Sequence, residues 1–383
     1  RTVPVLRADG KHRAVPVPGG EHEVVMRYEA PGLRAGILTT LLSLLVMGLL
    51  VARPCLGDDP IESSSKQVAP PRELALLCLE CGAPLARQGA TADAKGRYLC
   101  PRCGASHPDD DGIVDLTRGR SSATGYDPHY FAKLPQVEGT HFWYVHRRET
   151  ILAALRQNVP DLGRRALFDV GCGSGGLLAW LEQEGLRVAG GCDAYPDAVR
   201  LARSRLNAPL LLVDEAAPPP LAPGQAMVGF FDVLEHIDDD RGTLRWAWQT
   251  LEPGGILVLT VPAHPFLFDD MDRLAHHRRR YRRHELRERL EAAGFEVRHL
   301  RHFMAALVPL LVVVRLAGRL LPSGLADAGR RRDTELRVIP GLNAVLLGLL
   351  RFEGALQRLC PLPFGSSLLV VARRPSPGDR ARA

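Results

Sequence analysis

Short hydrophobic runs alternate with longer segments of helical periodicity from about residue 148 onward. Runs of this length, separated by helices, are typical of parallel strands that are covered on both faces of a sheet. The pattern predicts strands at 166–170, 187–192, 209–213, 227–232 and 256–261. The alternation of strands with helices predicts an α/β fold built on a parallel sheet.

An uncharged apolar segment, residues 35–52, lies upstream of these strands between Arg34 and Arg53. As a helix it would span about 27 Å, close to the thickness of a bilayer core. The segment predicts a transmembrane helix, with a buried core helix or a signal-type segment as alternatives. Residues 1–34 would then be an extracytoplasmic leader or a fusion remnant, and residues 53–73, which are rich in Pro and Ser, a flexible linker.

The composition excludes a disordered chain, because 46% of the 383 residues are hydrophobic and 24% are charged. Much of the net charge of +6 comes from arginine clusters such as 278–283 and 330–332. Such clusters favour a local anionic partner, or a solvated helix face, over an extended surface that binds nucleic acid. We therefore expect no nucleic-acid partner, and the sequence does not predict an oligomeric state.

The segment LFDVGCGSGGLLAW, residues 167–180, begins within the first predicted strand and satisfies two glycine patterns at once. Gly171, Gly173 and Gly176 fit the G-x-G-x-x-G of dinucleotide sites. Asp169, Gly171, Gly173 and Gly175 fit D-x-G-x-G-x-G instead. A carboxylate beside a pyrophosphate would be repelled, whereas beside the ammonium of a methionine moiety it is attracted. The loop therefore favours S-adenosylmethionine (SAM) as the cofactor.

Together with FFDVLEHIDDD, LEPGGILVLTVP and HHRRRYRRHEL, this segment resembles class I SAM-dependent methyltransferases, particularly the bacterial group related to quinone-biosynthesis O-methyltransferases. The resemblance covers 166–300 and implies a Rossmann-like sheet within a methyltransferase core at 125–302. It also implies a set of cofactor-binding residues. These are Asp169, Gly171, Gly173 and Gly175 for the methionine part, Asp193 for the ribose, Ala194 and Tyr195 near the adenine, and Asp214 for the adenine amine.

Two C-x-x-C pairs with eighteen residues between them lie ahead of this core, at Cys78, Cys81, Cys100 and Cys103. The spacing is typical of four-thiolate zinc sites, while a redox dithiol pair or four free thiols are alternatives. The segment resembles the small Trm112-like zinc ribbons that precede or partner bacterial methyltransferases. We therefore expect a zinc ribbon over 74–118 that holds a structural zinc ion.

The resemblance also implies that two late segments, 295–303 and 366–375, pair as an antiparallel hairpin at the sheet edge. An apolar helical insertion, 303–365, separates them, and charged residues interrupt it too often for a comfortable membrane span. We expect a lid or a membrane-docking element, with a plain hydrophobic core as the alternative. Residues 376–383 are predicted to be a disordered tail.

Histidines beyond the fourth and fifth strands are the catalytic candidates, because a hydroxyl acceptor needs a base and imidazole titrates near neutral pH. His236 and His264 occupy these positions, with a scaffolding role as the alternative for His236. Asp272, His276 and His277 could bind a metal or an acceptor, although a basic lid is the expectation favoured here.

The sequence thus predicts a SAM-dependent methyltransferase that modifies an oxygen or carbon atom of a hydrophobic or lipid-linked small molecule. One alternative is a methyltransferase that acts on a soluble or polysaccharide sugar acceptor. Another is a non-catalytic zinc-ribbon scaffold that retains a SAM-binding fold. Cys172 and Cys192 flank the cofactor loops, where a disulfide would be awkward, which indicates a reducing compartment. We therefore expect a single-pass cell-membrane protein with its catalytic domain on the cytoplasmic side.

Overall fold

The structure, a computed structural model, describes residues 6–8, 12–14, 74–89, 96–117, 128–215, 217–312 and 337–378. The chain divides into two compact units, Arg1–Arg53 and Pro54–Ala383. In the first unit, strands β1 (Leu6–Ala8) and β2 (His12–Ala14) form an antiparallel pair.

The second unit is built on one sheet of eleven strands. In chain order these are β3 (Ala86–Gln88), β4 (Gly96–Leu99), β5 (Ser106–Asp110), β6 (Ile113–Asp115), β7 (Ala166–Val170), β8 (Arg187–Asp193), β9 (Leu210–Leu212), β10 (Gln225–Phe231), β11 (Leu251–Pro262), β12 (Glu296–Phe303) and β13 (Ser367–Arg373). Their spatial order is β12-β13-β11-β10-β7-β8-β9-β6-β5-β4-β3. The six strands from β11 to β6 are parallel to one another, and antiparallel pairs continue the sheet at both edges.

Helices cover both faces of this sheet. They are α1 (Pro128–Val137), α2 (Phe142–Asn158), α3 (Gly176–Gln183), α4 (Pro196–Arg203), α5 (Asp240–Thr250), α6 (Asp270–Leu274), α7 (Arg283–Ala292) and α8 (Pro340–Leu359). Helices α5 and α7 contribute to the apolar cluster on one face, and α2, α3, α4 and α8 to the cluster on the other. Along β7, Phe168 belongs to the first cluster and Leu167 to the second, because successive strand side chains point to opposite faces.

The strands agree with the predicted α/β core within a few residues, apart from the beginning of β11. That strand begins at Leu251, whereas the pattern predicts a strand from residue 256. Pro253, Gly254 and Gly255 interrupt the hydrophobic run, and Gly254 has a φ of 83°. The pairing of Gln225 with Leu251 extends the strand through this irregular region, which hydrophobic periodicity does not reveal.

The cysteine-rich segment is part of the same sheet. Strand β6 pairs in parallel with β9, with Val114 opposite Leu211. Leu76 and Tyr98 from this segment are buried in the apolar cluster that also contains Phe168 of the central strand. The segment therefore covers the sheet edge that β9 would otherwise expose.

The region between β12 and β13 contains α8, which is anchored by a buried carboxylate. Glu353 is 5% exposed and accepts hydrogen bonds from the backbone N–H groups of Ala305 (2.9 Å) and Ala306 (2.8 Å). Asn343, near the start of α8, accepts a hydrogen bond from the backbone N–H of Phe142 (2.7 Å). These bonds attach α8 to the end of β12 and to the start of α2.

The prediction of a single-pass cell-membrane protein is contradicted. Within the described ranges, no helix combines the length and the apolar character needed to cross a membrane. Residues 35–52, on which that prediction rested, lie outside the described residues, as do most of the leader and the linker.

Candidate functional site

A glycine-rich loop connects β7 to α3 at the carboxyl edge of the parallel sheet. Gly171, Gly173 and Gly175 have φ values of 75°, 54° and 71°, a region that side chains disfavour. A Cβ on Gly175 would lie 3.0 Å from Ala202, so close helix packing requires glycine there. A Cβ on Gly173 would meet nothing within 4 Å, so this part of the loop borders open space. The loop leaves room for a ligand beside exposed backbone.

Asp193, the last residue of β8, lies across from this loop and is 9% exposed. Its carboxylate accepts hydrogen bonds from the backbone N–H groups of Gly173 (2.8 Å) and Tyr195 (3.0 Å). Burial nevertheless raises its pKa, because these bonds only partly offset the lost hydration. Each carboxylate oxygen has a second lone pair, so Asp193 can still accept hydroxyl donors from a ligand.

Asp169 lies within β7 and is only 2% exposed. Its Oδ1 atom has no hydrogen-bond partner among the described residues. Burial raises the pKa of this carboxyl to about 8, although the positive charge of Arg147 opposes the shift. A buried acceptor without a donor is costly, so a ligand ammonium at this position would satisfy it. The residues of the loop therefore fit the amino-acid part of SAM.

The remaining cofactor-binding candidates follow the neighbouring strands. Ala194 comes directly after β8, and Asp214 lies two residues after β9. The backbone N–H of Val213 donates to the carbonyl of Asp193 (3.1 Å), which ties the two strand ends together. The structure thus brings Asp169, the three glycines, Asp193, Ala194 and Asp214 to the carboxyl ends of three adjacent strands.

The cysteine-rich segment contacts the loop that follows Asp214. The backbone N–H of Leu77 donates to the carbonyl of Pro220 (2.7 Å), and that of Ala222 donates to the carbonyl of Ala75 (2.9 Å). This pairing holds the proline-rich stretch after β9 against the segment. The side of the cofactor site predicted to face adenine is therefore supported by residues from outside the methyltransferase core.

Sequence reasoning missed a polar network that joins α1 to the glycine-rich loop. The Ser174 hydroxyl donates to the Glu138 carboxylate, which also forms an ion pair with Arg205 (2.6 Å). Phe131 of α1 packs on Tyr195 with ring centroids 5.7 Å apart. These partners are far apart along the chain, so no local pattern could connect them.

Arg147 was also missed as a functional residue, although it lies in the conspicuous segment HFWYVHRRETIL. It forms an ion pair with Asp232 at the end of β10 (2.6 Å) and influences the pKa of Asp169. Its guanidinium also lies over the Trp143 ring, 5.1 Å from the centroid. Arg147 thus connects α2 to the ends of the two central strands.

The two catalytic candidates lie at the carboxyl ends of adjacent strands, in different surroundings. His236 ends a 3-10 turn (Leu234–His236) after β10, and burial together with the charge of His277 lowers its pKa to about 3. His264 follows β11 with a φ of 62° and stacks on His302 with ring centroids 5.0 Å apart. The Nε2 atom of His264 is buried and has no hydrogen-bond partner in the described part of the chain.

The four cysteines converge on one point. The Sγ atoms of Cys78 and Cys103 are 3.5 Å apart, those of Cys81 and Cys100 are 3.4 Å apart, and all four lie within 4.8 Å of one another. Tetrahedral zinc with Zn–S bonds of about 2.3 Å separates its sulfurs by about 3.8 Å. The backbone N–H of Glu80 also donates to the Cys78 sulfur (3.4 Å). The cluster is consistent with a zinc ribbon.

These features together define a class of protein. The first core strand leads into a glycine-rich loop, the second ends in a buried aspartate, and the sheet edge carries the antiparallel pair β12–β13. This arrangement is that of a class I SAM-dependent methyltransferase domain, and the chain is an enzyme of this class. Residues 144–300 match the family model described as a methyltransferase domain.

No curated protein matches the sequence significantly. Similar solved structures include a chain of the complex that contains the Haloferax volcanii Trm112 methyltransferase activator, with 21% identity, a TM-score of 0.42, and coverage of 64% of this chain and 95% of that one. Phosphoethanolamine N-methyltransferase 2 of Haemonchus contortus, in complex with SAM, has 16% identity, a TM-score of 0.44, and coverage of 71% and 62%. A SAM-dependent methyltransferase of Archaeoglobus fulgidus has 17% identity, a TM-score of 0.39, and coverage of 64% and 99%. Similarity at this level identifies no substrate, and the predicted relation to quinone-biosynthesis enzymes is not confirmed.

Proposed function

We propose that this protein transfers the methyl group of SAM to an oxygen or carbon atom of a hydrophobic or lipid-linked small molecule. The observation that carries the cofactor assignment is the buried Asp169 carboxylate beside a loop of positive-φ glycines, because its Oδ1 atom has no donor among the residues that the structure describes. When bound, SAM would supply an electrophilic methyl group on a sulfonium, which passes to the acceptor atom and leaves S-adenosylhomocysteine. The protein's task is to align the acceptor with that methyl group and to exclude water.

On the cofactor side, Asp169 would hold the ammonium while the loop from Gly171 to Gly175 approaches the carboxylate and sulfonium part. Asp193 would accept the ribose hydroxyls, as its remaining lone pairs allow. Ala194 and Asp214 would border the adenine. Support for the last assignment comes from the pairing of the stretch after Asp214 with the cysteine-rich segment.

On the acceptor side, His264 is the preferred base. One ring nitrogen hydrogen-bonds the backbone of Gly365, which orients the ring, and the Nε2 atom is left free to take a proton. His236 is the weaker candidate, because a pKa of about 3 makes it a poor proton acceptor. Burial also lowers the pKa of His264, so the choice between them rests on the Nε2 atom of His264, which has no hydrogen-bond partner among the described residues. Phe266 lies 5.3 Å from the His264 ring and is 67% exposed, which supports an apolar acceptor.

Calorimetric titration with SAM and S-adenosylhomocysteine tests the cofactor assignment. Asp193→Ala should abolish micromolar binding, whereas Asp197→Ala, which removes an exposed carboxylate from the adjacent helix, should leave it unchanged. Binding that persists in Asp193→Ala, or absence of binding by the folded wild-type protein, would contradict the proposal.

Transfer of labelled methyl groups from SAM to small molecules of a lipid extract tests the acceptor assignment. His264→Gln should lower the transfer rate at saturating SAM by about 10²–10⁴-fold, the range typical of a lost general base. The exposed His284→Gln variant serves as the matched control. Equal rates for both variants would exclude His264 as the base.

We also propose that Cys78, Cys81, Cys100 and Cys103 hold a structural zinc ion. Four thiolates leave no open position on the metal, so its role would be folding rather than catalysis. Metal analysis should find one zinc per chain at this site, and Cys100→Ser should remove it.

A further inference from the structure

Three potential ligands from two separate segments meet at the carboxyl end of β10. Glu235 and His236 belong to the 3-10 turn after this strand, and His277 lies three residues beyond α6. One ligand atom from each of the three side chains can be chosen so that all lie within 4.8 Å of one another. This cluster is separate from the four cysteines and from the glycine-rich loop.

The carboxylate of this cluster is fully buried and has no hydrogen-bond partner in the described part of the chain. Glu235 is 0% exposed, and neither of its oxygens accepts a hydrogen bond from any described residue. The neighbouring carboxylates do have cations: Asp232 pairs with Arg147 (2.6 Å), and Asp272 pairs with Arg280 (2.8 Å). Among the described residues, no Lys or Arg forms an ion pair with Glu235. A buried carboxylate of this kind is strongly unfavourable unless a cation or a proton joins it.

The two histidines each have one ring nitrogen occupied. The Nδ1 atom of His277 lies 2.9 Å from Asp272 Oδ1, so its Nε2 atom is left facing Glu235 Oε1 at 4.0 Å. His236 hydrogen-bonds the backbone of His276, and its ring meets that of His277 edge to face with centroids 4.8 Å apart. A histidine that ligates a metal commonly uses its other nitrogen in this way, with a carboxylate or a carbonyl as the orienting partner.

The spacing suits an ion better than a direct contact. A distance of 4.0 Å between His277 Nε2 and Glu235 Oε1 is too long for a hydrogen bond, but two ligands about 2.1 Å from one metal ion lie about 3 to 4 Å apart. Backbone hydrogen bonds keep the segments in place, from Arg278 N–H to the Glu235 carbonyl (2.8 Å) and from His277 N–H to the Asp272 carbonyl (2.8 Å). The site is thus held together by groups other than the ligands.

We propose that Glu235, His236 and His277 bind a divalent transition-metal ion, with Asp272 orienting His277. Two imidazoles and one carboxylate suit Mn²⁺, Fe²⁺ or Zn²⁺ rather than Ca²⁺. Three protein ligands leave open positions on such an ion. Its position at the sheet edge that also carries the cofactor loop places it on the side of the domain where ligands bind.

Mn²⁺ is the appropriate probe, because this hard ion binds poorly to a four-thiolate ribbon. The full-length protein, with its ribbon zinc-loaded and without SAM, is titrated with Mn²⁺, and free Mn²⁺ is measured by electron paramagnetic resonance. We expect one bound Mn²⁺ per chain. Glu235→Gln and His277→Ala should weaken binding at least 100-fold, and Asp272→Asn about 10- to 100-fold. Asp238→Asn, an exposed carboxylate in the same loop, should leave binding unchanged.

Variants that fail to fold are recognised by circular dichroism, and a second measurement on the wild-type protein is independent of them. Co²⁺ added to the zinc-loaded protein should produce visible absorption without thiolate charge-transfer bands. The proposal would be overturned if the folded wild-type protein bound no Mn²⁺, or if folded Glu235→Gln and His277→Ala bound Mn²⁺ as tightly as the wild-type protein. Glu235 would then simply be protonated. Because these titrations contain no SAM, their failure would leave the proposed methyl transfer untouched.

Discussion

Binding of SAM should release a proton near neutral pH, because Asp169 must ionise to attract the ligand ammonium. Burial raises the pKa of this carboxyl to about 8, far above its ordinary value of 3.8. At pH 7 about one-tenth of the cofactor-free protein then has an ionised Asp169, and at pH 6 about one-hundredth. The dissociation constant of SAM should therefore fall about tenfold for each pH unit between pH 6 and pH 7.5, which corresponds to about 1.4 kcal/mol per unit.

The same shift affects the stability of the cofactor-free protein, with the opposite trend. Between about pH 4 and pH 8 the folded chain keeps a proton on Asp169 that the unfolded chain has lost. The contribution of Asp169 to the free energy of unfolding is therefore highest below pH 4 and falls as the pH rises through this range. In the Asp169→Asn variant, this part of the pH dependence of the free energy of unfolding should disappear.

Calorimetry at several pH values, in buffers of different ionisation enthalpy, measures both the affinity and the number of protons released. The wild-type protein should release close to one proton at pH 6.5, and Asp169→Asn should bind more weakly at pH 7.5 with no pH dependence. Asp161→Asn removes an exposed carboxylate on the approach to β7 and serves as the control. A wild-type affinity that is constant from pH 6 to pH 7.5, or the same slope in Asp169→Asn, would refute the reasoning.

Three further predictions concern stability. Removal of zinc by a chelator should disrupt the ribbon that pairs with β9. If this costs about 2 kcal/mol, the melting temperature should fall by about 3 °C in differential scanning calorimetry, and zinc should restore it. Gly175→Ala should lower the free energy of unfolding in urea by about 1–3 kcal/mol, because the backbone there has a φ of 71° and the added Cβ would lie 3.0 Å from Ala202. Glu353→Ala should cost about 2–4 kcal/mol in the same assay, since one buried and one partly buried backbone N–H group lose their acceptor, whereas Gln357→Ala should cost less than 1 kcal/mol. An unchanged melting temperature or urea transition would show that the corresponding contact does not contribute to stability as argued.

Much of the fold could be predicted because its signals are local. The hydrophobic run at 166–170 and the glycines after it identify β7 and the loop within one short segment. The cysteine spacing likewise identified a cluster that the structure assembles. Membrane localisation was predicted from hydropathy alone and is contradicted for the described residues.

The parts that escaped prediction depend on contacts between distant segments. No pattern indicated that β6 of the ribbon would pair with β9, because backbone hydrogen bonds across a sheet edge require no particular side chain. The association of Glu138 with Ser174 and Arg205 depends in the same way on the packing of α1 against the core.

The sequence by itself therefore determined the class of fold, the glycine-rich loop and the four clustered cysteines, since each is encoded by residue types at short fixed spacing. Only the tertiary structure decided which ionisable groups are buried and which find a partner. The sequence places Asp169 in a motif but does not show that it is buried, and it gives no such signal for Glu235. The surrounding sheet and loops remove both carboxylates from water, and within the described ranges Asp169 Oδ1 and both Glu235 oxygens have no hydrogen-bond donor. Burial and hydrogen-bond partners depend on the whole packed chain, which is why the raised pKa of Asp169 and the metal-binding role proposed for Glu235 could be found only in three dimensions.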